Sequence, residues 1–139
     1  MKHDPRLIGL SSDHHQALVL ARHLTEEQRG WTPEDGATLC ARFVLELEPH
    51  FRVEEDVLIP ALRRAGATRL VDRIVLDHAF LRAGVEAARA GDATAARAFG
   101  DRLRDHVRFE EREVFPACST TLSDDVLDEV ARRAPKEHS

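Results

Sequence analysis

The chain has 139 residues, 42% hydrophobic and 32% charged, with one Trp and no Tyr, which is the size and composition of one soluble globular domain over residues 1–139. A formal net charge of -5, from 20 Lys and Arg scattered among 25 Asp and Glu, argues against nucleic acid or an anionic membrane as the main partner. No apolar run approaches the roughly 18 residues of a membrane span, residues 1–10 lack the features of a secretory signal, and Cys40 and Cys118 form no C-x-x-C, so a cytoplasmic protein with two reduced thiols is expected.

Ala, Leu, Arg and Glu dominate every segment between Gly and Pro, and no stretch alternates like a strand. The first helix is expected from Ser11 or Ser12 as N-cap to Gly30, with Trp31 in the following turn. Thr32 and Pro33 read as the N-cap and first residue of a second helix ending near Ala65 and Gly66. Pro49 and Pro60 fall inside it and predict kinks or local breaks, since each removes a backbone donor and crowds the preceding turn. Thr68 is the expected cap of a third helix that Gly91 ends, and Asp92 that of a fourth that weakens at Pro116. Ser123, followed by two Asp, opens a short fifth helix that stops before Pro135. The expected fold is all-α: an up-down-up-down four-helix bundle over about residues 8–118, with the short C-terminal helix over about 123–134.

The inward faces interrupt their apolar pattern with polar groups. The third helix presents Val71, Ile74, His78, Leu81, Val85 and Ala88 at steps of three and four. The fourth presents Phe99, Leu103, His106, Glu110 and Val114, the second Cys40, Phe43, Leu47, His50, Glu54 and Val57, and the first Leu10, His14, Ala17, Ala21 and Leu24. Burying four imidazoles and two carboxylates costs several kcal/mol per unpaired charge, comparable with the stability of a small domain, and a metal centre is the obvious compensation. Any one of these His alone is more often a hydrogen-bonded core or surface residue; their coincidence on four helices is what points to a metal.

A repeat supports it. The segment from His50 to Ala61 aligns without gaps to that from His106 to Ala117, with His, Arg, Glu, Glu, Pro and Ala coinciding, and Asp13-His14 pairs with Asp77-His78. His-x-x-x-Glu places an imidazole and a carboxylate side by side on one helix face, and two equivalent halves suggest two metal ions. Four neutral imidazoles and two carboxylates carry a charge of about -2, so two divalent ions leave room for a bridging hydroxide or oxide, with Glu54 and Glu110 as bridging carboxylates. No Glu-x-x-His occurs, which disfavours the ferritin-like arrangement, nor does the His-Glu-x-x-His of zinc proteases. Iron fits best, with manganese or zinc as substitutes.

On these residues the sequence resembles the hemerythrin family, in particular the bacterial hemerythrin-like domains with a His-His-Glu cation-binding motif. The resemblance runs from Leu10 to Ala117, carried by Asp13-His14-His15, the two His-x-x-x-Glu-Glu segments each followed by Pro, and Asp77-His78. It implies a four-helix bundle holding two non-haem iron ions, with His14, His50, Glu54, His78, His106 and Glu110 at the ligand places. Two departures stand out: Ile74 occupies the place of a fifth His in the oxygen carriers, and His106-x-x-x-Glu110 replaces their His-x-x-x-x-Asp. With one imidazole fewer, both ions are expected to keep open or water-filled positions, which argues against simple reversible oxygen carriage.

His15 lies 100° around the helix from His14 and is the competing ligand, or an outer hydrogen-bonding group. Asp13 and Asp77 either orient imidazoles or merely favour helix starts. Glu55 and Glu111 are expected in surface ion pairs with Arg52 and Arg108. His3, His23 and His138 are expected to be solvated, and the Phe residues to pack the core. The function expected is binding or sensing of a small diatomic ligand, oxygen or nitric oxide. The alternatives are a peroxide-consuming di-iron enzyme, or iron storage and delivery.

Overall fold

In the computed structural model, which describes residues 4–26 and 31–134, every regular element is helical. Helix α1 (Ile8–Glu26) starts earlier than Ser11, because a 3-10 turn at Pro5–Leu7 leads into it. That turn is capped by the Asp4 carboxylate, which accepts from the Arg6 amide. Ser12 instead donates to the Gly9 carbonyl and Ser11 to Glu111, so neither caps the helix. The predicted end at Gly30 lies outside the described residues.

Helix α2 covers residues 33–64 without a break, opened by a capping box in which Thr32 and Asp35 satisfy each other's backbone donors. The expected kinks take a specific form. One π turn, Phe43–Leu47, ends two residues before Pro49, and another, Glu54–Leu58, two before Pro60. In each the residue preceding Pro donates to the carbonyl five back, Glu48 to Phe43 and Ile59 to Glu54. The wider turn relieves the clash a proline ring makes with the carbonyl four residues earlier.

After Gly66 (φ 81°), helix α3 (Thr68–Arg89) begins with Ala67 at the N-cap and no side-chain cap, so Thr68 is its first residue rather than its cap. The Ala67 amide is already engaged by the Leu62 carbonyl, closing the end of α2 onto the start of α3. Helix α4 covers residues 93–121, capped by Asp92, and passes Pro116 by a third π turn, Glu110–Val114, instead of weakening there. Helix α5 (Asp124–Arg133), capped by Ser123, packs on the Pro5–Leu7 turn and on α2 near Glu54–Leu58.

The four long helices close a square in which α1 packs on α4, α4 on α3, α3 on α2 and α2 on α1. The π turns shift the inward register. Leu58, four residues after Glu54, is fully buried in place of the expected Val57, as Val114 is after Glu110; ahead of the π turns, Leu39 is buried and the expected Cys40 only partly so. The core is split into two apolar clusters. One, around Leu10, Leu62, Ile74 and Phe115, lies toward α5; the other, around Leu24, Phe43, Leu81 and Phe99, fills the opposite end. The layer of His and Glu lies between them.

Candidate metal centre

His14 from α1, His50 and Glu54 from α2, His78 from α3, and His106 and Glu110 from α4 are all buried, with both carboxylates at 0% exposure. Each His-x-x-x-Glu pair begins in an α-helical segment and ends on the first residue of a π turn, so the four-residue step between them keeps α-helical spacing and the two side chains share one inward face. His14 takes the interior position on α1, while His15 and His23 are exposed.

Each carboxylate spans the centre. Glu110 offers Oε1 to His14 Nε2 at 2.8 Å and His50 Nε2 at 3.5 Å, and Oε2 to His106 Nε2 at 3.3 Å. Glu54 turns Oε2 toward His50 Nε2 at 3.2 Å, and Oε1 toward His78 Nε2 at 3.0 Å and His106 Nε2 at 4.0 Å. Two overlapping ligand groups result: His14, His50, Glu54 and Glu110, and Glu54, His78, His106 and Glu110. Within each, the potential ligand atoms all lie within 4.8 Å of one another.

The outer ring nitrogen of every imidazole meets a carboxylate: His14 Nδ1 with Glu111 at 2.6 Å, His50 with Asp13 at 2.9 Å, His78 with Glu55 at 2.6 Å and His106 with Asp77 at 2.8 Å. These contacts fix ring orientation and leave Nε2 as the inward donor atom. Asp13 and Asp77 each meet an imidazole from their own half of the chain. Glu55 and Glu111, expected in ion pairs rather than at the metal, stay outside both ligand groups, and each reaches the back of the neighbouring helix's imidazole, one step along the helix from an inward Glu. Arginines hold part of this outer ring. Asp77 accepts from Arg102 Nε at 2.7 Å and Arg73 Nε at 3.0 Å, and Arg82 bridges Glu55 and Glu48. The doubled Glu of the repeat was the sequence signal for Glu55 and Glu111; the arginines, one or more turns away, gave none.

Burial works against charge on all these groups, and the arrangement overrides it. His14 is held above the usual histidine value by Glu110 and Glu111, His50 well above it by Glu54 and Asp13, and His106 is raised to about 10 by Glu110 and Asp77. Glu110 stays ionised, well below the usual carboxylate range, because His106 and its other partners outweigh its desolvation. The interior is thus built to hold positive charge. Among the described residues, Glu54 Oε2, Glu110 Oε2 and His106 Nε2 are buried with no hydrogen bond, all pointing at the centre. Orphaned acceptors between inward imidazoles are what a cation would satisfy, so the residues fit a metal pair. Cys118 lies near but remains a neutral thiol, its pKa pushed up to about 12 by burial and the nearby carboxylates.

A profile of the hemerythrin HHE cation-binding domain matches residues 10–118, a span containing all six inward His and Glu. The chain belongs to this family. No curated protein and no solved structure matched it. Within this hemerythrin-domain protein, Ile74 is fully buried where the oxygen carriers have a further His, so each ligand group has two imidazoles and two shared carboxylates. No described helix is long and apolar enough to cross a membrane.

Proposed function

We propose that this is a cytoplasmic non-haem di-iron protein that binds a small diatomic ligand, oxygen or nitric oxide. His14 and His50 would hold one ion and His78 and His106 the other, with Glu54 and Glu110 common to both ligand groups. The observation that carries the reading is the division of each carboxylate, one oxygen toward each imidazole pair. Iron supplies redox-active coordination positions at which such a ligand binds. The residues set the rest: each group of four side chains would leave a bound ion room for a further ligand, outer carboxylates lock the imidazoles, and the two apolar clusters limit access of bulk water.

The test is metal content per chain together with the optical spectrum, on protein loaded anaerobically with ferrous iron and then exposed to oxygen or nitric oxide. Two tightly held irons and ligand-dependent charge-transfer absorption are expected. Less than one retained ion and no such band would refute the proposal. Peroxide consumption is the second reading, favoured by the buried Ile74, whose apolar side chain supplies no further ligand to the centre. Rapid peroxide loss in the iron-loaded protein that disappears in Glu54→Ala would support it, and absence of turnover would remove it.

A further inference from the structure

Two cavities lie in line beside the centre. The outer is a surface groove of about 260 Å³ between α1 and the first π turn, with Ser12, Gln16 and Leu20 on one wall and Leu45, Glu46 and Pro49 on the other. The inner has room for about 10 Å³ and reaches His14, His50 and His106. Asp13, Ala17 and Leu47 line both, so a layer one side chain thick separates solvent from the centre. Leu45 and Leu47, two apart in the Phe43–Leu47 turn, face opposite sides of the helix, so Leu45 is exposed at 77% on the groove wall while Leu47 is buried at 5%.

We propose that neutral diatomic gases enter the centre through this passage, with Leu47 against Ala17 as its gate. The proposal rests on the diatomic-ligand reading. The inner cavity has the capacity of about one water-sized probe, which limits entry to the smallest molecules. Apart from the imidazoles and Asp13, its walls are apolar, including Leu47, Phe51, Leu103 and Val107. Such a space costs a gas little and strips hydration from an anion. The Asp13 carboxylate, fixed on His50, stands in the neck and repels anions further. The passage thus selects by size and by charge, independently of what the ions do with the ligand.

Two measurements test it. In zinc-loaded protein, which has no redox chemistry, dissolved oxygen under pressure should enhance methyl-proton relaxation at Ala17, Leu47 and Leu103 above that at Leu62 in the opposite core cluster. In the ferrous protein, stopped-flow binding of nitric oxide should accelerate by about tenfold in Leu47→Ala and slow in Ala17→Val. Leu62→Ala, a truncation of the same size away from the passage, should leave the rate unchanged. Relaxation enhancement absent from Ala17 and Leu47, or equal rates in folded Leu47→Ala and Leu62→Ala, would overturn the passage. Enhancement at the gate without any nitric oxide binding to iron-loaded protein would keep the passage and sink the diatomic-ligand reading, so the two failures are distinct.

Discussion

Asp77→Asn removes one charge and no volume from a carboxylate with 0% exposure that accepts from His106, Arg102 and Arg73 at 2.8, 2.7 and 3.0 Å. Despite burial, its pKa lies below the usual carboxylate range, because His106 and Arg102 hold it ionised. Asparagine keeps one acceptor oxygen and turns an NH2 group toward donors, so at least one charge-assisted bond is lost, each such bond being worth about 1.5–3 kcal/mol. The two arginine side chains are 30% and 42% exposed and can return to water, which discounts their share. The metal-free chain should therefore lose about 2 kcal/mol net, visible in urea unfolding as a midpoint lower by about 1 M. The larger consequence should fall on an ion that His78 and His106 would hold, since an imidazole without its outer acceptor typically loses about 10–100-fold in metal affinity. Chelator competition should resolve this as preferential loss of one ion of the pair. Wild-type affinity for both ions in the folded variant would refute the claim that Asp77 acts by orienting His106.

Glu54→Gln or Glu110→Gln removes the charge of a side chain common to both ligand groups and leaves it one oxygen, so each should cost more metal affinity than the roughly 10–100-fold loss of an outer-ring change, seen as lower metal retention by plasma emission on dialysed protein. The metal-free protein should lose stability as pH rises from about 6.5 toward about 10, because folded His106 keeps its proton through a range where the unfolded chain has released it. Metal affinity should move the other way over that range, since binding expels the proton; isothermal titration in two buffers of different ionisation enthalpy would count the protons released. Gly36→Ala should cost about 1–3 kcal/mol in thermal melts, because its new Cβ would lie 2.5 Å from the Ala88 carbonyl oxygen and 2.7 Å from Arg89 Cα, where α2 crosses α3.

The helices and the inward His and Glu were legible in the sequence, because both are written in local periodicity. A helix repeats every 3.6 residues, so His50 and Glu54, or His106 and Glu110, four apart on an apolar seam, must share its face. Caps at Thr32, Asp92 and Ser123 are equally local, each side chain bonding an amide three residues on. The register around a proline is not read so directly. Each π turn inserts a residue into the helical repeat, and that is why Leu58 and not Val57 continues the core seam.

The outer carboxylates belonged to the tertiary structure. Nothing near Glu111 in the chain announces His14, 97 residues away, and only the packing of α1 on α4 brings their atoms to 2.6 Å. The same holds for Arg102 on Asp77 and for the cavity walls to which Leu47 and Ala17 both contribute. Sequence alone determined that polar groups must occupy the middle of a helical core. Which of them face inward as ligands and which stand behind as orienting acceptors depends on rotations of about 100° between neighbours on a helix, and a side chain's partner at that angle is set by the helix packed beside it.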